Sequence, residues 1–230
     1  MTKYSVSHII QLVHMYWFES TDMEKWFGGK VDKEICDKFL KYLKFAECSK
    51  TTLWTQRAKK VDYNGTLALV VMLDQFSRNC YRGSMSMYEN DELALSVLLD
   101  FLKEGMPKIC KFFSDEQIMF LLMPLQHTTH LIFQHLGIIT LFEVLKIRKR
   151  KCASLVDEYL MQPYDMKRLK DIQVSLKACS EILAIALFHQ IGHCIVLTTF
   201  GGFPKRHPRE FVQKIWDRAG IEHLRTKNPY

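Results

Sequence analysis

Five polar residues in the first half of the chain have the types and spacing of a ligand site. Asp74, Gln75, Arg78, Asn79 and Arg82 follow one another at steps of one, three and four residues, directly after an apolar run. Such steps place all five side chains on one side of an α-helix. Buried charges are costly unless they are paired, so this stripe predicts either an internal ion-pair network or a ligand site.

The two arginines of the stripe indicate a site for an anion. Asp74 can neutralise Arg78, four residues along the helix, whereas Arg82 lies a further turn away. Arginine presents a rigid fork of N–H donors that suits carboxylate or phosphate groups. We therefore expect a small anionic ligand or an acidic peptide to bind there, with Gln75 and Asn79 orienting it. The alternative is an Asp–Arg pair that only stabilises the helix.

Two histidines in uncharged stretches are candidates for acid–base chemistry. His127 comes three residues after Pro124, and His193 lies in an otherwise apolar segment. Imidazole changes its protonation state near neutral pH, so the two histidines could act as general acid and base in a hydrolase or lyase. The alternative is that each is a hydrogen-bonded residue of the core.

The histidine spacing does not predict a metal centre. His127 and His130 are three residues apart and His189 and His193 are four apart, as zinc ligands on helices can be. Cys194, however, would point about 100° away from His193 on a helix. Gly-rich phosphate loops are absent, and no cysteine or serine lies in a nucleophile motif. We expect neither a metal nor another cofactor.

Composition and charge fit a globular protein with a basic surface. The chain has 230 residues, of which 48% are hydrophobic and 25% charged, and its net charge is +7. This excess of positive charge permits nucleic-acid partners without requiring them. Seven cysteines without a CxxC pair indicate a reducing compartment, so a cytoplasmic location is expected. The basic run from Lys146 to Lys151 resembles a nuclear-localisation signal, which keeps a nuclear location open.

Two stretches without Asp, Glu, Lys or Arg are long enough to span a membrane. They cover residues 117–142 and 182–204, and about 20 apolar residues suffice for a span. Both contain several histidines, glutamines and threonines. Two spans would also place the basic residues after each stretch on opposite sides of the membrane, against the positive-inside tendency. We expect no membrane span but buried helices of a soluble bundle.

Apolar residues recur at helical spacing through the chain, and regular strand alternation is absent. This pattern predicts one all-α domain over residues 1–230. Asn64 is predicted to cap the helix that carries the polar stripe, and Pro124 to kink or break a later helix. One long helix is predicted from Asp165 or Asp171 to about Thr199, and a last helix between residues 208 and 220.

Four blocks of sequence resemble a known family of helical proteins. In chain order they are Tyr16-Trp17-Phe18 with Trp26-Phe27-Gly28-Gly29, then residues 67–83, 120–127 and 193–206. Together they resemble the domain-of-unknown-function 924 family, a largely bacterial group of tetratricopeptide-like proteins. The most specific block reads Asp-Gln-Phe-x-Arg-Asn-x-x-Arg-Gly. The resemblance implies a helical fold and a candidate pocket that includes Arg206, and it brings no established activity.

The chain departs from the family pattern where acidic residues are usual. Thr129, Ile132 and Phe133 stand at or near positions where the family typically has acids. If those acids are catalytic in the family, this member is altered or inactive. Without them, Arg82 is expected to lack a carboxylate of the protein, which favours an external anion.

Three classes of function therefore remain open. The first is a soluble protein that binds a small or peptide-borne anion in a central pocket lined by arginine and histidine. The second is a hydrolase or lyase that uses His127 and His193. The third is a scaffold for protein or nucleic acid, in which the basic run at residues 146–151 shares a face with Lys205, Arg206 and Arg209.

Overall fold

Helices dominate the computed structural model, which describes residues 5–19, 26, 29–58, 60–150, 166–176 and 181–200. The helices are α1 (Val6–Phe18), α2 (Asp32–Cys48), α3 (Thr52–Thr55), α4 (Tyr63–Val71), α5 (Ser77–Cys80), α6 (Asp91–Leu102), α7 (Met106–Phe112), α8 (Asp115–His127), α9 (Leu131–Ile147), α10 (Met166–Leu176) and α11 (Ile182–Phe200). A π-helical turn, Met72–Phe76, joins α4 to α5, and a 3-10 turn, Met85–Tyr88, follows. Strands β1 (Gln56–Arg57) and β2 (Lys60–Val61) form a minimal antiparallel hairpin. The prediction of an all-α protein is confirmed.

The helix that carries the polar stripe is capped by Asp62, so the prediction that Asn64 is the cap was wrong. The Asp62 backbone is extended, and its carboxylate accepts a hydrogen bond of 2.9 Å from the Gly65 N–H. Asn64 already lies inside the helix, so it cannot serve as the cap. Gly65 is required there, because a Cβ atom at this position would lie 1.9 Å from the carbonyl oxygen of Trp54.

Helix α8 begins at a capping box and continues past its proline. Ser114 accepts from the Gln117 N–H, and the Gln117 side chain accepts from the Ser114 N–H. Pro124 does not break the helix, which ends three residues later at His127. Residues 118–126 are all buried, so packing on every side holds this helix together despite the donor that proline lacks.

The predicted long helix up to Thr199 is two helices. Helix α10 ends at Leu176, and α11 begins at Ile182. The carbonyl of Glu181 accepts hydrogen bonds from the N–H groups of Ala184 and Ile185, which marks a new helix start. The helix predicted between residues 208 and 220 lies outside the described residues.

Aromatic packing brings the π-helical turn close to α8. The ring of Trp17 is fully buried and lies edge-on at 5.3 Å from the rings of both Phe76 and Phe120. Trp26 contacts Phe120 at 4.8 Å and donates from its indole N–H to the Trp17 carbonyl. Each such aromatic pair adds about 1 kcal/mol beyond the area that it buries. Phe76 and Phe120 thereby fix the distance between the two segments that carry Asp74 and His127.

Helix α8 lies between α4, α6, α9 and α11, and α11 in turn packs against α8, α9 and α10. The stretch Ile182–Thr199 of α11 is long and apolar enough to cross a membrane, and 44% of that window is buried inside the protein. A core helix has the same length and composition, so this finding is weak evidence for a span. The expected absence of a membrane span stays a prediction.

Candidate functional site

Asp74 lies at the centre of the polar cluster, and its side chain has no contact with solvent. Its Oδ1 is 2.7 Å from Nδ1 of His127 and 3.1 Å from Nη1 of Arg78. Its Oδ2 accepts a hydrogen bond from the side-chain amide of Gln75. Both carboxylate oxygens are therefore engaged, which is what a buried charge requires.

The pKa of Asp74 is lowered to about 2 by these neighbours. Burial acts in the opposite direction and would raise the pKa, because it disfavours the charged form. Attraction to Arg78 and His127, together with hydrogen bonds from His127 and Gln75, outweighs burial. Asp74 is thus a carboxylate at every physiological pH, and it presents a fixed negative charge to the imidazole.

A π-helical turn places Asp74 and Gln75 in this arrangement. Its hydrogen bond runs from the Ser77 N–H to the Met72 carbonyl, one residue further than in an α-helix. Residues after the turn are consequently rotated by about 100° from the positions that regular spacing predicts. The five polar residues do not form one stripe: Gln75 and Arg78 contact Asp74, which in turn contacts His127, whereas Asn79 and Arg82 contact another carboxylate.

Arg78 lies between two carboxylates. It donates from Nη1 to the backbone carbonyl of Asp74 at 2.7 Å, beside the ion pair with the same residue. Its Nη2 lies 2.9 Å from Oδ1 of Asp91, which forms a second ion pair. The guanidinium is only 13% exposed, so both ion pairs are poorly screened by water.

Arg82 has a carboxylate partner in the protein, although none was expected from the sequence. Asp32, the first residue of α2, accepts two hydrogen bonds from the Arg82 guanidinium and one of 2.8 Å from the amide of Asn79. The expectation that Arg82 lacks a protein carboxylate is therefore wrong. The Arg82 side chain is 47% exposed, and this exposure screens the pair.

His127 and His193 lie side by side, with ring centroids 6.3 Å apart. Each ring is held through Nδ1: His127 by the carboxylate of Asp74, and His193 by the backbone carbonyl of Gln126 at 2.9 Å. Since carboxylate and carbonyl oxygens accept hydrogen bonds, both Nδ1 atoms carry a proton in the neutral rings. Within the described residues no hydrogen bond reaches Nε2 of His127, whose side chain is 18% exposed. This nitrogen can exchange a proton with a bound molecule.

A buried network of three glutamines fixes the end of α8 that carries His127. Gln134 donates from its side-chain amide to the carbonyls of Gln126 and Thr128, each at 2.8 Å. Gln190 donates to Oε1 of Gln134 at 2.6 Å. Helices α8, α9 and α11 are joined by these bonds on both sides of His127. The sequence signal for this network was three glutamines in otherwise apolar helices, and spacing alone did not reveal their connection.

Other predicted residues lie elsewhere or cannot be placed. Arg206 is outside the described residues. Arg148 and Arg150 of the basic run both pair with Asp115, and Lys151 lies in a part of the chain that is not described. Among the described side chains, no group of three or more His, Cys, Asp or Glu residues is arranged to hold a metal ion.

Two acidic residues of the site were not identified from the sequence. Asp32 and Asp91 each open a helix, and an acidic residue there is ordinarily explained by the helix dipole. Their arginine partners lie in another part of the chain, Arg78 on α5 and Arg82 in the turn that follows it. No periodicity connects residues that meet only through tertiary packing.

Comparison with known proteins supports the fold. No curated protein matches this chain. The chain is similar to the solved structure of a protein of unknown function from Agrobacterium tumefaciens, with 20% sequence identity, a TM-score of 0.61, and coverage of 92% of this chain and 99% of that one. Residues 13–209 match the family described as "Bacterial protein of unknown function (DUF924)". Because this match spans most of the sequence, the chain belongs to the DUF924 family.

Proposed function

We propose that this protein is an enzyme of hydrolase or lyase type in which His127 serves as general base and general acid. The observation that carries the proposal is the 2.7 Å contact between the buried carboxylate of Asp74 and Nδ1 of a histidine that is itself partly exposed. A fixed carboxylate orients the imidazole, selects the tautomer with the proton on Nδ1, and stabilises the imidazolium that forms when Nε2 takes a proton.

The surroundings of His127 favour catalysis over a purely structural role. A structural histidine is usually satisfied at both ring nitrogens or buried outright. Nδ1 of His127 is instead held by Asp74, a carboxylate that Gln75 and Arg78 also contact, and no hydrogen bond reaches Nε2 from the part of the chain that the structure describes. His193 lies close enough to assist with a second proton transfer to or from the same bound molecule.

Anion binding by the arginines has weaker support than acid–base chemistry. Arg78 and Arg82 are each paired with a carboxylate of the protein, so neither offers an uncompensated charge. Binding of a small anion or acidic peptide stays a prediction. If this prediction is correct, added phosphate should raise the melting temperature of the protein by a few degrees. Arg82→Ala should abolish this shift without altering the helical circular dichroism spectrum.

The acid–base proposal is tested with generic substrates. Wild-type protein, H127Q and H14Q are compared for hydrolysis of p-nitrophenyl acetate and p-nitrophenyl phosphate. His14 is a matched control because it is also half-buried and hydrogen-bonded through one nitrogen, to the Asn64 carbonyl, but lies on α1. We expect H127Q to lower the rate by about 100-fold or more and H14Q to leave it unchanged.

A second measurement does not depend on finding the substrate. Diethyl pyrocarbonate acylates unprotonated imidazole nitrogens, and mass spectrometry locates the modified residues. His127 should react in wild-type protein, and acylation should remove the hydrolytic activity at the same rate. Activity that survives either H127Q or complete modification of His127 would contradict the proposal.

A further inference from the structure

The last turn of α8 is held from outside by the side chain of Gln134. A helix leaves its final carbonyl groups without partners of its own, and Pro124 supplies no N–H donor to this helix. Gln134 is fully buried, and its amide donates to the carbonyls of Gln126 and Thr128, each at 2.8 Å. These two carbonyls lie on either side of His127, so a single amide fixes the backbone before and after that residue.

The same amide also affects the placement of His193. The Gln126 carbonyl that Gln134 holds accepts a second hydrogen bond, of 2.9 Å, from Nδ1 of His193. Both imidazoles are thus anchored to one short piece of backbone, residues 126–128, and their ring centroids lie 6.3 Å apart. A displacement of this backbone by about 1 Å would change the distance between the rings, and misplacement of that size can cost about 100-fold in rate.

The contacts of Gln134 require a carboxamide. Two N–H donors bind the carbonyls of Gln126 and Thr128, while Oε1 accepts a hydrogen bond of 2.6 Å from Gln190. A hydroxyl has one donor, an ionised carboxylate has none, and an ammonium has no acceptor. An apolar side chain of the same length would fill the space but would release both carbonyls beside His127.

We infer that Gln134 is a positioning residue for the proposed acid–base site, because it sets the separation and orientation of the His127 and His193 rings. The inference rests on the proposed function. The Gln134 side chain is fully buried, so it acts through the backbone carbonyls of Gln126 and Thr128 and not through contact with a substrate.

Gln190 offers a matched control, because it is a second fully buried glutamine of the same network. It donates to Oε1 of Gln134 and, at 3.3 Å, to the carbonyl of Leu125. Q190M leaves in place the two bonds from Gln134 to the carbonyls beside His127, whereas Q134M removes both. Each variant replaces a buried amide by an apolar chain of similar length, so we expect both to lower the melting temperature by several degrees.

The first measurement is hydrolysis of p-nitrophenyl acetate by wild-type protein, Q134M and Q190M. Circular dichroism confirms that each variant is folded at the assay temperature. We expect Q134M to lower the rate by about 10- to 100-fold, and Q190M to keep most of the wild-type rate. Equal losses of rate in the two variants, or an unchanged rate in Q134M, would overturn the inference.

The second measurement reports the positions of the rings and does not depend on catalysis. Ring protons of His127 and His193 are assigned by their absence from the NMR spectra of H127Q and H193Q. We expect a nuclear Overhauser effect between the two rings in wild-type protein and in Q190M, and a weaker one in Q134M. An unchanged effect in Q134M would overturn the inference. If H127Q does not lower hydrolysis, the proposed function fails, while this measurement still decides whether Gln134 positions the rings.

A double variant covers the case in which Q134M does not fold. Q134M/Q190M leaves no unpaired Gln190 amide in the core, and replacement of both partners of a buried hydrogen bond costs less than replacement of one. Its hydrolytic rate and its ring-to-ring Overhauser effect are then compared with those of Q190M. Lower values in the double variant support the inference, and equal values overturn it.

Discussion

A carboxylate without access to water has to be stabilised by ion pairs or hydrogen bonds, and Asp74 has three side-chain partners that provide them. His127, Arg78 and Gln75 occupy both of its oxygens. Removal of one partner from a buried ion pair leaves the other uncompensated, which costs about 3–5 kcal/mol. Arg78 keeps its second carboxylate, Asp91, so the loss of the Asp74 charge should cost an amount at the lower end of that range.

We therefore expect Asp74→Asn to lower the free energy of unfolding by about 3 kcal/mol at pH 7. Urea denaturation measures this difference. Asp32→Asn is the control, because its partner Arg82 is half-exposed, and such pairs contribute about 0–1 kcal/mol. Equal losses of unfolding free energy in Asp74→Asn and Asp32→Asn would show that the burial of Asp74 does not increase its contribution to stability.

The free energy of unfolding that the contacts of Asp74 contribute should decrease at low pH. Its pKa is about 2 in the folded protein and about 3.9 in an unfolded chain. A lowered pKa means that the stabilisation is complete above about pH 4 and is lost as the pH falls towards 2. The difference in unfolding free energy between wild type and Asp74→Asn should therefore narrow from about pH 4 downwards. A constant difference over this range would contradict the assigned pKa.

Residue spacing predicted only part of this cluster. The pairing of Asp74 with Arg78 follows from their separation of four residues on a helix. His127 was identified as a candidate by its type, yet it lies 53 residues from Asp74 in sequence. The Asp32–Arg82 pair spans 50 residues. Such contacts depend on how helices pack, and a single sequence contains no periodic signal for them.

At the scale of elements, helices were predictable wherever an apolar stripe had clear ends. Helix α2 has its buried residues at helical spacing, and α8 begins at a capping box that its sequence contains. The separation of α10 from α11 was not predictable, because residues 177–181 contain neither glycine nor proline. The π-helical turn was missed for a different reason: local helix propensity does not encode it.

Close contact between α9 and α11 depends on Gly137. A Cβ atom at this position would lie 2.6 Å from the buried side-chain amide of Gln190. We expect Gly137→Ala to lower the free energy of unfolding by about 1–3 kcal/mol, because the Gln190–Gln134 hydrogen bond must break. This loss should exceed the gain of about 1 kcal/mol in helix propensity.

Gly192→Ala is the matched control for Gly137→Ala. Gly192 also lies inside a helix, and a Cβ atom there meets only the terminal nitrogen of Gln173, a side chain that is not fully buried. Chemical denaturation should show Gly192→Ala to be near neutral. If Gly137→Ala and Gly192→Ala raise the free energy of unfolding equally, the glutamine network does not determine how α9 packs against α11.

At the scale of the whole molecule, α11 raises the question of membrane association. Its residues Ile191, Cys194 and Leu197 are buried, and the helix packs against α8, α9 and α10. A helix that already covers its apolar side inside the protein has little to gain from lipid. We expect the protein to purify without detergent and to stay in the supernatant after alkaline carbonate extraction. Recovery in the membrane pellet would reverse this prediction.

The π-helical turn has a consequence for how this protein can change by mutation. Deletion of one residue within Met72–Phe76 would turn the interruption into ordinary α-helix and rotate everything after it by about 100°. Asp74 lies inside the turn and Arg82 after it, so such a deletion can preserve the Asp74–His127 contact or the Asp32–Arg82 pair, but not both. Homologues that lack one residue of this turn should therefore retain at most one of these two contacts.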